Sequence, residues 1–338
     1  MADQPQQNWA WTDARDLGVQ GRPFEDTARF YARLPARAEG KVEEAVWSLA
    51  QQSTGLRVEF VTDSPRIGAR FALLEGNTGG GDLRSSSLDL YVERDGRWGW
   101  VGVGPKLEGT EWEGELRRGL APQPARYTLY LPHGAAVERI EIGVEPGSTL
   151  EPAPAGSHKP ICFYGTSIVH GFCASRPGMT YPAILGRRLG RPFLNLGFSG
   201  NARMQPEVVD LLAELDPSAY VIACLENMWP DAIEAATVHT VNVLRAAHPR
   251  TPIGLAENVV YQATYMLSDP RGGWGPKNER LRAAYECLLS DGVTGLHYVE
   301  GDRLLGQDGE ATVDGTHPTD LGFYRMADAL EPLLRDLV

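Results

Sequence analysis

The sequence has little of what several classes of protein require. No apolar run approaches the roughly 18 residues that a membrane-spanning helix needs, so we expect no membrane partner. Basic residues do not outnumber acidic ones, because 32 Lys and Arg stand against 44 Asp and Glu, a net charge of −12. Nucleic-acid binding needs a basic face that displaces counterions, and the composition therefore predicts no nucleic-acid partner either.

Cysteine is also scarce. The chain has four, Cys162, Cys173, Cys224 and Cys287, and none of them forms a CxxC pair. This spacing favours neither a zinc site nor a disulfide framework, so we expect reduced thiols, no metal and no other cofactor. The first 16 residues (MADQPQQNWAWTDARD) lack the basic and apolar regions of a signal peptide. Together these observations predict a cytoplasmic protein.

The length and the pattern of the chain predict two domains. With 338 residues the chain exceeds the ~250–300 at which a single hydrophobic core stops growing. Residues 42–144 contain short alternating strands and turn signals such as Asp95-Gly96, which are typical of an antiparallel sandwich or jelly roll. Residues 146–159 are rich in Pro, Gly and Ser and are predicted to be a linker. We predict an N-terminal β-sandwich domain over 1–145 and a catalytic domain over 160–338.

From residue 160 the pattern changes to alternating strands and helices. Five such units predict a parallel sheet covered by helices on both faces. Ligands bind such sheets at the carboxyl ends of the strands, so the loops after the strands are expected to carry the chemistry. In chain order these loops contain Gly165-Thr166-Ser167, residues 197–201, Glu226-Asn227-Met228, Glu257-Asn258 and residues 314–318.

These loops hold the parts of an acyl-transfer site. Ser167 is a candidate nucleophile, but a serine hydroxyl is weak and needs a base within hydrogen-bond reach. His317 is the best candidate base, because Asp314 lies three residues earlier and can orient the imidazole. The backbone amides of Ser167 and Gly200 and the side chain of Asn227 can donate to a tetrahedral oxyanion. The sequence thus predicts a Ser–His–Asp triad with an oxyanion hole.

Simpler interpretations of these residues remain open. His170, three residues after Ser167, is a rival base, although a loop histidine lining the cleft is its plainer interpretation. Asp314 could cap the last helix. Ser167 and Gly200 could be simple turn residues.

Three more residues are candidate substrate contacts. Glu226 lies beside Asn227, and Glu257 lies in the fourth loop, where a buried structural carboxylate is an equally good interpretation. Arg176 follows the nucleophile loop and is better interpreted as ordering that loop than as binding substrate.

Two tryptophans of the N-terminal domain allow two interpretations. Trp98 and Trp100 alternate with Gly99, so both are expected to face one side of their strand. The favoured interpretation is that they fill the core of the sandwich. The alternative is that the β domain forms one wall of the substrate cleft.

Four separated blocks resemble the SGNH (GDSL-type) hydrolases. Residues 164–185 (YGTSIVHGFCASRPGMTYPAIL) are similar to one bacterial branch, with Gly-Thr-Ser in place of the usual Gly-Asp-Ser. Residues 195–201 (NLGFSGN) and 314–318 (DGTHP) match the second and last blocks. Residues 87–91 (SLDLY) resemble the Gly-x-Asp-Leu-Tyr motif of the small β domain in that branch. The resemblance covers roughly residues 40–338.

The resemblance implies a fold and an activity. It implies a flavodoxin-like three-layer α/β domain, preceded here by the jelly-roll-like β-sandwich, and hydrolysis of esters by a Ser–Asp–His triad without a metal. It extends to five residues of this chain: Ser167, Gly200, Asn227, Asp314 and His317. The main departure is Glu226, where the branch usually has proline. A carboxylate there would oppose the developing negative charge if it faced the oxyanion.

We therefore predict a serine esterase that forms an acyl-enzyme. Its substrate is expected to be a short-chain ester, an acetyl ester, of a hydroxyl-rich small molecule or carbohydrate. One alternative is a thioesterase or lipase-like hydrolase of longer acyl chains, and another is a non-catalytic glycan-binding protein. The natural substrate and the formation of a homo-oligomer are left open by the sequence.

Overall fold

The computed structural model describes residues 8–74, 86–105, 107, 109–154, 156–262 and 264–338. Residues 1–7, which belong to the segment without signal-peptide features, and residue 155 of the predicted linker lie outside these ranges. Within the described parts of the chain, no helix combines the length and the apolar character needed to cross a bilayer.

The N-terminal part of the chain forms two antiparallel sheets. Its strands are β1 (Ala10–Asp13), β2 (Val19–Gln20), β3 (Arg57–Thr62), β4 (Arg66–Leu73), β5 (Asp89–Arg94), β6 (Arg97–Val103), β7 (Glu111–Arg118), β8 (Ala125–Tyr130), β9 (Val137–Val144) and β10 (Leu150–Pro152). Its helices are α1 (Ala14–Leu17), α2 (Glu44–Ala50) and a 3₁₀ turn at Ala36–Ala38. One sheet has the order β1-β9-β4-β7, and the other has the order β10-β3-β8-β5-β6 with β2 beside β3.

Alternating apolar side chains hold the two sheets together. Phe60 of β3 and Phe71 of β4 belong to different sheets, and both are buried in one core cluster. The predicted hairpin joins β5 to β6, and its turn residues Asp95 and Gly96 have positive φ angles of 51° and 71°. This is the backbone conformation of a type I′ turn. The predicted β-sandwich is confirmed.

The C-terminal part of the chain alternates strands and helices around one parallel sheet. Its strands are β11 (Ile161–Gly165), β12 (Phe193–Gly197), β13 (Ala219–Ala223), β14 (Ile253–Ala256) and β15 (Leu296–Val299). Its helices are α3 (Ser167–His170), α4 (Tyr181–Leu189), α5 (Pro206–Ala213), α6 (Pro230–Ala247), α7 (Gly275–Ser290) and α8 (Asp320–Leu337). Short 3₁₀ helices lie at Pro177–Met179, Leu225–Asn227, Thr264–Met266 and Gly301–Arg303.

The strand order of this sheet places β11 between β12 and β13. The order β12-β11-β13-β14-β15 is flavodoxin-like, and β11 is paired in parallel with both β12 and β13. Ligands of such sheets bind where the strand order reverses, at the carboxyl end of the first strand. Successive side chains of β11 point to opposite faces, so Phe163 packs with α4 and α8 while Tyr164 packs with α5, α6 and α7. The predicted three-layer α/β architecture is confirmed.

The segment between β2 and β3 completes the core of the α/β domain. Trp47 of α2 is buried in the same cluster as Tyr164 of β11. The fully buried guanidinium of Arg33 donates to the carbonyl oxygens of Asn195 and Gly197 in β12, at 3.0 and 2.8 Å. Burial lowers the pKa of Arg33 to about 9. The predicted division at residues 146–159 stays a prediction, and the strand β10 lies inside the predicted linker. The packing of Trp47 shows that the N-terminal and C-terminal parts of the chain share a core.

We expect the fragment 155–338 to be poorly soluble and to lack a cooperative thermal transition. The fragment omits Trp47 and Arg33, and their loss exposes an apolar face and leaves the two carbonyl groups of β12 without their donor. Circular dichroism melting of the fragment beside the full chain measures this. A fragment that unfolds cooperatively at the same temperature as the full chain would contradict the role given to the N-terminal segment.

The two tryptophans of β6 lie at the domain interface and not in the sandwich core. Trp100 is 52% exposed, and its indole Nε1–H donates to Asp89 Oδ1 at 3.0 Å. Trp98 packs against the cluster that joins Tyr91 to the helices of the α/β domain. The favoured interpretation of a core position is therefore wrong. The sheet that contains β6 is covered on both faces, on one by the other sheet and on the other by the α/β domain. A side chain that is buried by this sheet can therefore lie on either face.

Candidate active site

The turn after β11 holds Ser167 at the carboxyl edge of the sheet. A side chain at Gly165 would bring its Cβ within 2.2 Å of the Ala223 carbonyl oxygen, so only glycine fits this close approach to β13. The Thr166 side chain then caps α3. Ser167 is the first residue of that helix and is 7% exposed.

The structure brings Ser167, His317 and Asp314 into one hydrogen-bonded chain. The Ser167 Oγ lies 2.9 Å from Nε2 of His317, and the His317 Nδ1 lies 2.6 Å from Oδ2 of Asp314. A carboxylate can only accept, so Nδ1 carries the hydrogen and Nε2 of the neutral ring is free to accept the serine proton. This is the arrangement that a serine nucleophile and its general base require.

Asp314 is held as an anion by the loop that carries it. Its Oδ1 accepts the backbone N–H groups of Thr316 and His317 at 3.0 and 2.8 Å. Burial acts to raise the pKa of Asp314, but these hydrogen bonds and the one from the His317 ring outweigh it and lower the pKa to about 2. The carboxylate is thus charged at neutral pH and far into the acidic range.

The candidate oxyanion donors lie in the segments that follow three adjacent strands. Gly200 follows β12 and Asn227 follows β13, the two neighbours of the strand that leads to Ser167. Gly200 has a φ of 73°, and a Cβ there would meet open space, so its left-handed backbone and not crowding favours glycine. The Oδ1 atom of Asn227 is buried and has no hydrogen-bond partner among the described residues.

The carboxylate of Glu226 is engaged by protein groups. One oxygen accepts the Thr166 hydroxyl and the other accepts the Val259 N–H, each at 3.2 Å. Burial raises the pKa of Glu226. The side chain that replaces the usual proline thus ties the turn before Ser167 to the loop after β14.

Glu257 has the contacts of a structural carboxylate. It accepts hydrogen bonds from Tyr298 of β15 at 2.6 Å, from the Gly301 N–H at 2.8 Å and from Asn278 of α7 at 3.3 Å. Arg282 of the same helix adds an ion pair at 3.2 Å. These groups satisfy both oxygens, which favours the structural interpretation over a substrate contact.

Arg176 joins the loop after α3 to the N-terminal domain. It pairs with Asp89, whose side chain is fully buried, at 2.7 Å, and it also donates to Tyr91. Asp89 further accepts the Gly178 N–H at 2.9 Å. Asp89 and Tyr91 belong to the SLDLY motif, so this motif anchors the loop that runs from α3 to α4. The interpretation of Arg176 as ordering that loop agrees with these contacts.

His170 faces the N-terminal domain and is hydrogen-bonded away from Ser167. Its Nε2 lies 2.7 Å from the His133 carbonyl oxygen and 3.0 Å from the Thr54 hydroxyl. Its Nδ1 lies 3.1 Å from the Ser199 hydroxyl. Burial, with the nearby charge of Arg33, lowers the pKa of His170 well below its ordinary value. The ring is therefore a buried neutral group, and it does not line a cleft.

Exposed apolar side chains lie on or next to the segments that carry the triad, and sequence reasoning missed them. The Phe172 ring lies 4.8 Å from the His317 ring and is 43% exposed. Trp229, two residues after Asn227, is 80% exposed, and Val313, beside Asp314, is 61% exposed. Their positions next to the motif residues were the only available signal, since an isolated exposed apolar residue is common on protein surfaces.

Comparisons with known proteins agree with this geometry. A sequence model described as the GDSL-like lipase/acylhydrolase family matches residues 158–335. A second model, described as the N-terminus of SGNH-hydrolase-type esterases with the GxDLY motif, matches residues 9–150. A search of curated proteins found no match.

Several solved structures are similar to this chain. A protein assigned as a GDSL-like lipase from Bacteroides ovatus is 33% identical over 98% of both chains, with a TM-score of 0.91. The salicylyl-acyltransferase SsfX3 of a tetracycline biosynthetic pathway is 22% identical over 97% of both chains, with a TM-score of 0.78. A family two carbohydrate esterase from Clostridium thermocellum is 16% identical, with a TM-score of 0.63, over 84% of this chain and 92% of that one. The last two likenesses concern the fold.

The first of these structures and the two sequence models point to the same family. The catalytic-domain model spans more than half of the chain, and the identity with the Bacteroides protein extends over both domains. The chain therefore belongs to the GDSL-like lipase/acylhydrolase family and is an esterase of the SGNH type.

Proposed function

We propose that this esterase removes an acetyl or similarly short acyl group from a hydroxyl-rich small molecule or carbohydrate. Ser167 is the nucleophile, His317 the general base and Asp314 the residue that orients the imidazole. The observation that carries the proposal is the continuous chain of hydrogen bonds from Ser167 Oγ through His317 to Asp314, at 2.9 and 2.6 Å.

The first half of the reaction acylates the enzyme. Ser167 Oγ attacks the ester carbonyl carbon as its proton passes to Nε2 of His317, and the carbonyl electron pair moves to oxygen. The N–H groups of Ser167 and Gly200 and the Asn227 side chain stabilise the resulting oxyanion. The C–O bond to the alcohol then breaks, the His317 proton goes to the departing oxygen, and the acyl group stays on Ser167. Asp314 stabilises the transient imidazolium.

The second half restores the free enzyme. A water molecule gives a proton to Nε2 of His317 and adds its oxygen to the acyl carbon, which forms a second tetrahedral oxyanion at the same donors. Collapse of this intermediate breaks the bond to Ser167 Oγ, which takes the proton back from His317. The carboxylic acid leaves, and the triad is again neutral serine, neutral imidazole and carboxylate.

Two observations support a sugar-like alcohol. The chain shares its fold with carbohydrate esterases, such as the family two enzyme from Clostridium thermocellum. Trp229 offers a flat aromatic surface, 80% exposed, two residues from the oxyanion candidate Asn227. An exposed aromatic ring suits the apolar face of a pyranose while the hydroxyl groups stay in water.

A longer acyl chain is the second candidate, and a specific feature favours it. Met266 and Leu267 are 79% and 59% exposed, and their loop is tied to the triad loop because the Gln262 N–H donates to the Gly315 carbonyl oxygen at 2.8 Å. Such side chains would cover an acyl chain that extends out of the site.

A series of p-nitrophenyl esters from acetyl to palmitoyl separates the two candidates. We expect kcat/KM to be highest for the acetyl ester and to fall as the chain lengthens, and we expect acetylated sugars to release acetate. A maximum at octanoyl or longer would contradict the short-acyl proposal and favour the second candidate. Met266→Ser serves as a matched variant, because it should lower activity on long esters alone if that loop binds the chain.

A further inference from the structure

A cavity apart from the esterase site lies between the two domains. It has a volume of about 300 Å³, at the lower end of the range for small-molecule sites. The sheet that contains β3, β6 and β8 forms one wall, and the end of α4 with the start of β12 forms the other. Trp98 and Tyr130 supply apolar surface to it.

This cavity is distant from the esterase site. Pro160 and Pro192, which line it, precede β11 and β12, whereas Ser167 follows the carboxyl end of β11. The five residues of β11 separate the two edges by roughly 16 Å. The cavity therefore belongs to the amino-terminal edge of the sheet, where none of the proposed catalytic groups lies.

The lining of the cavity is basic, in a chain whose net charge is −12. Five arginines line it, and the acidic groups in its wall are two, Glu59 and Glu93. Arg57 and Arg126 both pair with Glu59, and Arg126 also pairs with Glu93 at 3.3 Å. Burial acts to raise the pKa of Glu59, but the two arginines outweigh it and lower the pKa, so Glu59 is charged. Arg22 pairs with Glu25, which is not part of the cavity wall, at 3.1 Å, so a net positive charge of two remains.

Part of this positive charge has no protein partner. Arg57 is 4% exposed, and its Nη1 is buried without a hydrogen-bond partner among the described residues. The Arg191 side chain has neither a hydrogen bond nor an ion pair within the described part of the chain, and Arg187 donates only to uncharged oxygens, those of Tyr130 and Gly178. A buried guanidinium group without an acceptor is costly, and an anion in the cavity would supply acceptors to several at once.

From this geometry we infer that the interdomain cavity binds a small organic anion through a carboxylate or phosphate group. Arg57 and Arg126 reach it from the β-sandwich, and Arg187 and Arg191 reach it from the α/β domain. Trp98 packs against the uncharged part of the bound anion. The bound anion bridges the two domains.

Isothermal titration calorimetry of the full-length protein tests the inference without any ester substrate. The probes are inorganic phosphate and glucuronate, and glucose is the neutral counterpart of glucuronate. We expect saturable binding of at least one anion and none of glucose, and the anion that binds identifies the group recognised. Arg57→Gln and Arg191→Gln should each weaken binding at least 10-fold, because each removes a charged donor. Arg117→Gln, which removes an exposed charge on β7, should leave binding unchanged.

The Arg191 variant keeps the test decisive. The Arg191 side chain makes no hydrogen bond or ion pair with any residue that the structure describes, so this variant should fold even if Arg57→Gln does not. An anion that bound at the oxyanion donors of the esterase site would keep its affinity in Arg191→Gln. That result, or the absence of saturable binding of both anions to the unmodified protein, would overturn the inference.

Discussion

Replacing Ser167 by alanine is expected to lower kcat for ester hydrolysis by about 10³-fold or more. The substitution removes the oxygen that lies 2.9 Å from Nε2 of His317, and no other hydroxyl group makes a hydrogen bond to that nitrogen within the described residues. The backbone at Ser167 is helical, so alanine fits it without strain and the Thr166 cap is kept. Initial rates on p-nitrophenyl acetate, with circular dichroism melting of both proteins, measure the effect.

Thr166→Ser provides the matched control. It keeps a hydroxyl for the Glu226 contact and for the helix cap, one residue from the proposed nucleophile, and we expect it to change kcat less than 10-fold. A serine-directed organophosphate should inactivate the unmodified enzyme and add mass to the peptide that contains Ser167. Activity near that of the unmodified protein in Ser167→Ala, with an unchanged melting curve, would contradict the proposed nucleophile.

Periodicity was enough to predict the α/β domain. The strand Ile253–Ala256 begins and ends where its apolar run does, because it is buried in the sheet. Leu296–Val299 is the edge strand, and its two middle residues are only partly buried. The helix α6 begins at Pro230, and proline is favoured at the first position of a helix. The order of the strands was not contained in this pattern and came from the resemblance.

The contacts between distant parts of the chain could not be predicted in the same way. Arg33 meets its carbonyl partners 162 and 164 residues later, and nothing in its local sequence indicates burial. The alternation of Trp98 and Trp100 correctly predicted that both side chains lie on the same face of the sheet. A two-residue period does not indicate what covers that face. The sheet is packed on both sides, and only the three-dimensional structure shows this.

In the candidate site, too, contacts between neighbouring residues could be predicted from the sequence and contacts between distant residues could not. Asp314 and His317 are three residues apart, and a single turn brings their side chains together, so local spacing was sufficient. Ser167 lies 150 residues from His317, and its place beside the imidazole depends on the strand order. The exposed Phe172 has no spacing signal at all, since its contact with His317 follows from the left-handed turn at Gly171 that ends α3.

Removing the imidazole of His317 is expected to be as damaging as removing the Ser167 hydroxyl. His317→Ala should lower kcat by about 10³-fold or more, because the serine then has no base and the departing alcohol no acid. His170→Ala is the matched comparison, with an equal loss of one imidazole three residues from Ser167. It removes the ring hydrogen bonds to the Ser199 hydroxyl and to the His133 carbonyl oxygen, so it should lower the melting temperature but lower kcat less than 10-fold.

The pH dependence of kcat/KM distinguishes a general base at His317 from a purely structural histidine. His317 must be neutral to accept the serine proton, so kcat/KM of the unmodified enzyme should fall toward acid with a limiting slope of one. Asp314 does not contribute to this limb, because its pKa of about 2 keeps it ionised, and the lowered pKa of His170 keeps that ring neutral. The His170→Ala profile should therefore superimpose on the unmodified one, while the residual activity of His317→Ala should lose the acidic limb. If His170→Ala loses the limb and His317→Ala retains it, the proposed base is wrong.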